Sequence, residues 1–236
     1  MKKRILLLLA VVVSLCTAKA QTYKVGDIYD KDGLKGLVIR VNETGEHGLI
    51  MSLDRCTKKW ASKKVKYNTN CFFEDDGEKN MKALEESIKE NGLSWEQFPL
   101  FSWCRSKGDG WYIPAKEELE DLYKAINGGV GEYDSSKFNA IDEKLKSNGG
   151  DQMYSKTLGQ LGDPLHMYSS TEGEMGMVHV VLFTSSMKGA FAPSLGLFAS
   201  KKDKVKNIDG SFKWMEYYKN QGGGLAGFGS RAVHKF

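Results

Sequence analysis

The chain has 236 residues, of which 34 are lysine or arginine and 30 are aspartate or glutamate, giving a formal net charge of +4. Four of the 34 basic residues lie within the first 20 positions, so the remainder of the chain carries 30 charges of each sign. This balance gives no electrostatic reason to bind nucleic acid or a membrane surface.

Residues 1–20 are typical of a secretory signal peptide. A basic start precedes an uncharged run over residues 5–15, which is shorter than the roughly 20 apolar residues of a membrane span. Ala18-Lys19-Ala20 presents the small side chains that signal peptidase accepts, so we expect cleavage after Ala20 and an exported chain. Leu15, which precedes Cys16, favours this ordinary cleavage over lipidation. No later stretch predicts a membrane span.

Three cysteines follow the signal segment: Cys56, Cys71 and Cys104. In an oxidising compartment we expect one disulfide and one remaining thiol. The spacing leaves all three pairings open. Cys56–Cys71 is favoured, because Cys104 lies in the apolar run 101–104 that is typical of a core.

Strands are predicted towards both ends of the chain. Segments 36–41 and 48–53 are rich in β-forming residues and predict a hairpin. Segments 177–183, 190–199 and 229–236 predict further strands. Between the hairpin and the first helix lies the lysine-rich segment at 58–76. A solvated loop explains that segment better than an anion-binding patch.

Three helices are predicted between the strands. Segment 78–91 has apolar residues at helical spacing. The second helix starts with Pro114 in its first turn, where Glu117 and Glu118 suit the helix dipole and belong to a solvated face. The third begins at Ser135 or Ser136. This order favours an α+β fold of antiparallel strands with two or three helices packed on one side.

Candidate chemistry is sparse. Four histidines show no metal-ligand spacing, and we expect no metal or other cofactor. The hydroxyls and carboxylate of Ser169-Ser170-Thr171-Glu172 predict a hydrogen-bonded junction of loop and sheet, with calcium binding as an unsupported alternative. The apolar neighbours of Cys104 argue against a reactive thiol.

Two groups of residues are candidates for ligand binding. Of the five tryptophans, Trp214 has the most mixed surroundings and is the best candidate for an exposed ring that stacks on a sugar. Lys201, Lys202, Lys204 and Lys206 are close enough in sequence to meet sulfate or carboxylate groups if they project from one face. A solvated loop explains these lysines equally well.

Three motifs occur together: GWYIPAKEEL at residues 110–119, YSSTE at 168–172 and GSRAV at 229–233. In combination they resemble the C-terminal domain family of the Legionella collagen-like protein. Segment 76–81, followed by 101–104, resembles versions common in secreted proteins of gut-type bacteria. The resemblance implies one C-type-lectin-like domain over residues 21–236. That fold is distantly related to the formylglycine-generating, sulfatase-modifying enzymes.

The resemblance makes the motif residues determinants of the fold and not ligand contacts. These are Trp103, Cys104, Trp111, Pro114, Glu118, Leu119, Ser169, Ser170, Thr171, Glu172 and Arg231. The namesake is a surface adhesin for sulfated glycans. The resemblance therefore implies a non-enzymatic module that binds a glycan or a protein at the cell surface or in the periplasm. This chain has no collagen-like stalk, and no cysteine follows Cys104 to form a catalytic pair.

Two alternatives stay open. One is a structural or accessory part of a fimbria-like surface assembly, and the other is a degenerate sulfatase-modifying enzyme. The sequence does not determine the ligand or the oligomeric state.

Overall fold

A computed structural model describes residues 21–62, 68–129, 134–153, 165–173, 176–183, 206–208, 212–218 and 228–236. Within these ranges, early strands are followed by four α-helices and then by further strands. This order confirms the predicted α+β class. The signal segment at 1–20, with its cleavage site after Ala20, lies outside the described residues.

The first sheet joins the two ends of the described chain. Strands β1 (Ile28–Lys31), β2 (Leu34–Val41) and β3 (Gly48–Ser52) are consecutive and antiparallel. The last strand, β9 (Val233–Lys235), pairs with β3 in antiparallel orientation. The hairpin predicted from the sequence is therefore the β2–β3 pair, and the C-terminal segment extends it.

The second sheet has the strand order β6-β7-β5-β4-β8. Its strands are β4 (Leu165–Glu172), β5 (Met177–Phe183), β6 (Lys206–Ile208), β7 (Phe212–Tyr218) and β8 (Phe228–Gly229). All pairings are antiparallel except that of β4 with β8, which is parallel. The strand predicted at 190–199 lies outside the described residues.

The described helices are α1 (Gly77–Glu90), α2 (Pro99–Arg105), α3 (Lys116–Asn127) and α4 (Ser135–Ser147). Helix α1 begins where the Asp76 carboxylate accepts a hydrogen bond from Lys79 N at 3.0 Å. Helix α4 is capped by Asp134 and not by a serine. Carboxylates and hydroxyls cap a helix equally well, so the sequence pattern alone did not distinguish them.

Two details of the helices differ from the prediction. Pro114 precedes Ala115, the residue that caps α3, so it lies just outside the first turn. Helix α2 was not predicted, because its apolar run over 101–104 is too short for a helical period to show. Pro99 occupies the first turn of α2, where its missing N–H costs no hydrogen bond.

The helices divide between two hydrophobic clusters instead of packing on one side. Helices α1 and α2 contribute to the first cluster, with Val38 of β2 and Val180 of β5. Helices α3 and α4 contribute to the second, with Leu37 of β2 and Val181 of β5. Because neighbouring strand residues point to opposite faces, β2 and β5 are buried on both sides. Helices therefore cover both faces of these strands.

Candidate functional site

Polar side chains of β4 and its neighbours form a network that we call the buried polar junction. It consists of Thr69, Asn80, Ser169, Ser170, Thr171 and Glu172, all of which are buried. The Glu172 carboxylate accepts hydrogen bonds from Thr69 N at 2.8 and 2.9 Å and from the Thr69 hydroxyl at 2.6 Å. The end of β4 is thereby joined to a segment 103 residues earlier in the chain.

The serine and threonine hydroxyls of this junction are also engaged by protein groups. Asn80 Nδ2 donates to Ser170 Oγ at 3.0 Å. Thr171 Oγ1 accepts from Lys116 N at 3.0 Å and donates to the carbonyl of Phe73 at 2.9 Å. These contacts are those of a structural junction, in which the oxygens satisfy backbone and amide groups.

Glu118 is buried, with 1% of its surface exposed, and does not belong to the solvated face predicted for it. Its Oε2 accepts from Gly77 N at 3.0 Å and from Ala115 N at 2.8 Å, and its Oε1 accepts from the Tyr112 hydroxyl at 2.7 Å. Burial raises the pKa of Glu118, and these three hydrogen bonds oppose that rise. Glu118 therefore joins the start of α3 to the start of α1.

Arg231 is fully buried. Its Nη1 donates to the carbonyls of Ser52 and Leu53, and its Nη2 donates to those of Asp151 and Gln152, at 2.5–3.2 Å. Burial lowers the pKa of the guanidinium to about 10. Arg231 thus holds together β3, the segment after α4 and the C-terminal segment.

The expected Cys56–Cys71 disulfide is not present. Cys56, Cys71 and Cys104 are buried thiols. The Cys71 thiol donates to the carbonyl of Asn80 at 3.3 Å, which places it beside the buried polar junction. Burial raises the pKa of the Cys104 thiol far above its ordinary value. A thiol with so high a pKa is a poor nucleophile.

Of the predicted ligand-binding residues, Lys201, Lys202 and Lys204 lie outside the described residues. Lys206 in β6 and Trp214 in β7 are direct partners in the antiparallel register. On its other side, Trp214 is paired with Val181 of β5. The backbone therefore brings together one predicted lysine and the predicted tryptophan, which are 8 positions apart in the sequence.

A second aromatic and basic group lies around helix α2, the loop that follows it and β9. We call it the tryptophan–cation surface, and it consists of Trp95, Trp103, Arg105, Lys107, Trp111 and His234. The Arg105 guanidinium lies 4.1 Å from the centre of the Trp95 ring. Lys107 Nζ lies 5.0 Å from the Trp103 ring and 5.5 Å from the Trp111 ring. Each of the two cations therefore lies beside at least one indole ring.

The fold positions this surface through the end of α2 and the loop that follows it. Gly110 has a φ of +78°, a conformation that favours glycine. A side chain at this position would also collide with the His234 imidazole. Trp111 packs edge-on against that imidazole at 5.3 Å. The loop is therefore held against β9, with Trp111 beneath Lys107.

Exposure and charge distinguish the members of this surface. Trp95 and Trp103 are partly buried, whereas Trp111 is nearly covered. Lys107 is neutralised by an ion pair with Asp54 at 2.5 Å, and 17% of the Lys107 side chain is exposed. Arg105 is exposed, and it has no carboxylate within salt-bridge distance in the described part of the chain.

The sequence does contain a signal for this surface, because Trp103, Arg105, Lys107 and Trp111 occur within nine consecutive residues. The apolar run 101–104 predicts that Trp103 is core, whereas the structure leaves its ring partly exposed. In α2, successive residues point about 100° apart around the axis. Phe101 and Cys104 therefore point inwards, while Trp103 lies at the edge of the buried face.

Neither the models of known protein families nor the curated proteins include a match to the chain. The resemblance to the Legionella collagen-like protein family therefore stays a prediction. Among the described residues, no three or more His, Cys, Asp or Glu side chains form a group that could hold a metal ion. No helix within the same ranges is long and apolar enough to cross a membrane.

Proposed function

We propose that the protein is an exported, non-enzymatic binding module that recognises an anionic glycan through its tryptophan–cation surface. The observation that carries this proposal is the pair of Trp95 and Arg105, in which a partly exposed ring lies beside an exposed guanidinium that forms no ion pair with any described residue. Trp103 adds a second partly exposed ring next to Lys107.

The chemistry of these groups suits a sulfated or carboxylated sugar. Indole rings offer flat apolar area to the C–H faces of a pyranose, at a low cost in side-chain entropy. A guanidinium forms paired hydrogen bonds to sulfate or carboxylate oxygens. Arg105 supplies the charge, because Lys107 is already paired with Asp54.

The predicted patch of Lys201, Lys202, Lys204, Lys206 and Trp214 belongs to the same proposal as a second contact region. Support for it comes from the direct pairing of Lys206 with Trp214 across two strands. The same combination of an aromatic ring and a cation then serves the same class of ligand.

The test is a glycan array probed with the full chain after export, in the presence of calcium and of chelator. We expect binding to sulfated or uronic-acid glycans that weakens as salt rises, because exposed charges are screened. We expect the same binding with chelator. A blank array for the wild-type protein, shown to be folded by circular dichroism, would contradict the proposal.

One observation favours a protein partner as a second candidate. Phe72 and Phe73 are adjacent in the chain and expose 48% and 42% of their surface. Aromatic residues are enriched at protein–protein interfaces relative to the rest of the protein surface. In that case the chain serves as an accessory part of a surface assembly. It should co-purify with a larger complex, and Phe72→Ser with Phe73→Ser should release it.

A further inference from the structure

Two contacts align the segment after β3 with helix α2. At one end, Leu100 N donates to the carbonyl of Lys59 at 3.1 Å. At the other end, Lys107 Nζ forms an ion pair with Asp54 at 2.5 Å. The earlier residue of the first segment, Asp54, contacts the later residue of the second, Lys107. Lys59, which comes later in the first segment, contacts Leu100, which comes earlier in the second. The two segments therefore face each other in opposite directions.

Cys56 and Cys104 lie between these contacts. Cys56 is two positions after Asp54, and Cys104 is three positions before Lys107. Both belong to the same hydrophobic cluster, with 4% and 0% of their surface exposed. The Lys107–Asp54 ion pair lies near enough to influence the pKa of both thiols. The fold thus brings together two cysteines that are 48 positions apart.

Cys71 is held elsewhere. Its Sγ contacts the carbonyl of Asn80 at 3.3 Å and the hydroxyl of Thr69 at 3.4 Å. Its carbonyl accepts from Glu172 N at 2.7 Å. Pairing Cys71 with either other cysteine would withdraw its thiol from the buried polar junction.

We infer that Cys56 and Cys104 form a disulfide when the chain folds in an oxidising compartment, and that Cys71 remains a thiol. The oxidant is a second disulfide, such as that of a thiol–disulfide oxidoreductase. One cysteine thiolate attacks it to give a mixed disulfide, and the other then displaces the oxidant. The two cysteines lose two electrons and two protons in total, and the oxidant's disulfide is reduced to two thiols.

The bond should form during folding and not afterwards. Burial raises the pKa of both thiols, so the folded, reduced chain contains little of the thiolate that carries out the exchange. Oxidised glutathione added to the folded, reduced protein should therefore react at least about tenfold more slowly than the same reagent present during refolding.

The test is peptide mapping without reductant. The full chain is exported by a host with an oxidising compartment. A second sample is unfolded, reduced and refolded in a glutathione redox buffer. Both are then alkylated in denaturant and digested. We expect alkylated Cys71, together with one cross-linked peptide pair that contains Cys56 and Cys104 and is lighter by two hydrogens. A cross-link that includes Cys71, or alkylation of all three cysteines in the refolded sample, would overturn the inference.

Single substitutions give a second measurement. Cys71→Ala should keep the cross-link, whereas Cys56→Ala and Cys104→Ala should abolish it and leave two alkylated thiols. The denaturant concentration at the midpoint of unfolding, measured with and without reductant, then reports how much the disulfide contributes to stability. The wild type and Cys71→Ala should lose stability on reduction, whereas Cys56→Ala and Cys104→Ala should not respond. A response in the latter two variants would contradict the pairing.

Discussion

The buried polar junction and the tryptophan–cation surface both contain polar or charged side chains, but these side chains have opposite environments in the two regions. In the junction, the Glu172 carboxylate and the hydroxyls of Ser170 and Thr171 are turned inwards and paired with protein groups. On the surface, the exposed Arg105 guanidinium lies against the Trp95 ring. The first arrangement satisfies its polar groups within the chain, and the second leaves a cation available to a ligand.

This difference assigns the two regions to different roles. A buried polar group costs free energy when its partner is removed, so substitutions in the junction should act mainly on stability. An exposed cation contributes little to stability, because water solvates it in the folded and unfolded states alike. Substitution of the exposed Arg105 should therefore act mainly on binding.

The largest expected effect on stability comes from the buried Arg231, with the exposed Arg105 as its control. Arg231→Ala removes the guanidinium donor from four carbonyls, of which that of Leu53 keeps a hydrogen bond from Asp151 N, and opens a cavity. We expect a loss of about 4 kcal/mol in the free energy of unfolding. Urea unfolding measures it, and Arg105→Ala is the matched control, with an expected loss below about 0.5 kcal/mol. Equal losses in the two variants would contradict the distinction between buried, paired polar groups and exposed ones.

The next largest effect on stability is expected for the buried Glu118, with its exposed neighbour Glu117 as the control. Glu118→Ala removes the acceptor of two backbone N–H groups and of the Tyr112 hydroxyl, which should cost about 3 kcal/mol. Glu117 is exposed one position earlier, so Glu117→Ala should cost less than about 0.5 kcal/mol. Thermal unfolding of both variants checks the difference. A Glu118→Ala protein as stable as the wild type would exclude Glu118 as the link between α1 and α3.

The smallest expected effect on stability comes from the ion pairs of Glu78 at the protein surface. Glu78 accepts from Lys235 and Lys82, and these contacts lower its pKa from 4.5 to about 2. The stabilisation is therefore complete above about pH 4.5 and is lost as the pH falls towards 2. Because the side chains of Glu78 and Lys235 are both exposed to solvent, we expect this ion pair to contribute only about 0.5 kcal/mol to the free energy of unfolding.

The check is urea unfolding of the wild type and of Glu78→Gln between pH 6 and pH 2. The two proteins should differ at pH 6 and converge towards pH 2, the range over which Glu78 titrates. A difference that does not change with pH would show that Glu78 acts through packing and not through its charge.

The sequence was informative where a pattern repeats along the chain. Met81, Leu84 and Ile88 recur at helical spacing and predicted α1 to within one residue at each end. Alternation and turn residues likewise predicted the β2–β3 hairpin. Such local patterns hold because each element must bury one face.

The sequence was misleading where burial depends on distant partners. Nothing near Glu118 in the chain shows that Gly77 N, 41 positions away, needs an acceptor. The position of Cys104 opposite the Cys56 segment likewise depends on contacts between segments that are far apart in the chain. The apolar run 101–104 predicts that Trp103 is core, but this residue lies at the edge of the buried face of α2 and is only partly buried. In each case the deciding contact is tertiary and leaves no local pattern.

The most direct test of the comparison measures binding and stability on the same variants. Affinity for immobilised heparin, as a sulfated glycan, is measured for the wild type, Arg105→Ala and Trp95→Ala, alongside urea unfolding of each. The account predicts that Arg105→Ala binds about tenfold more weakly while its free energy of unfolding changes by less than about 0.5 kcal/mol. Unchanged affinity in Arg105→Ala, with the wild type bound, would contradict the assignment of binding to the tryptophan–cation surface.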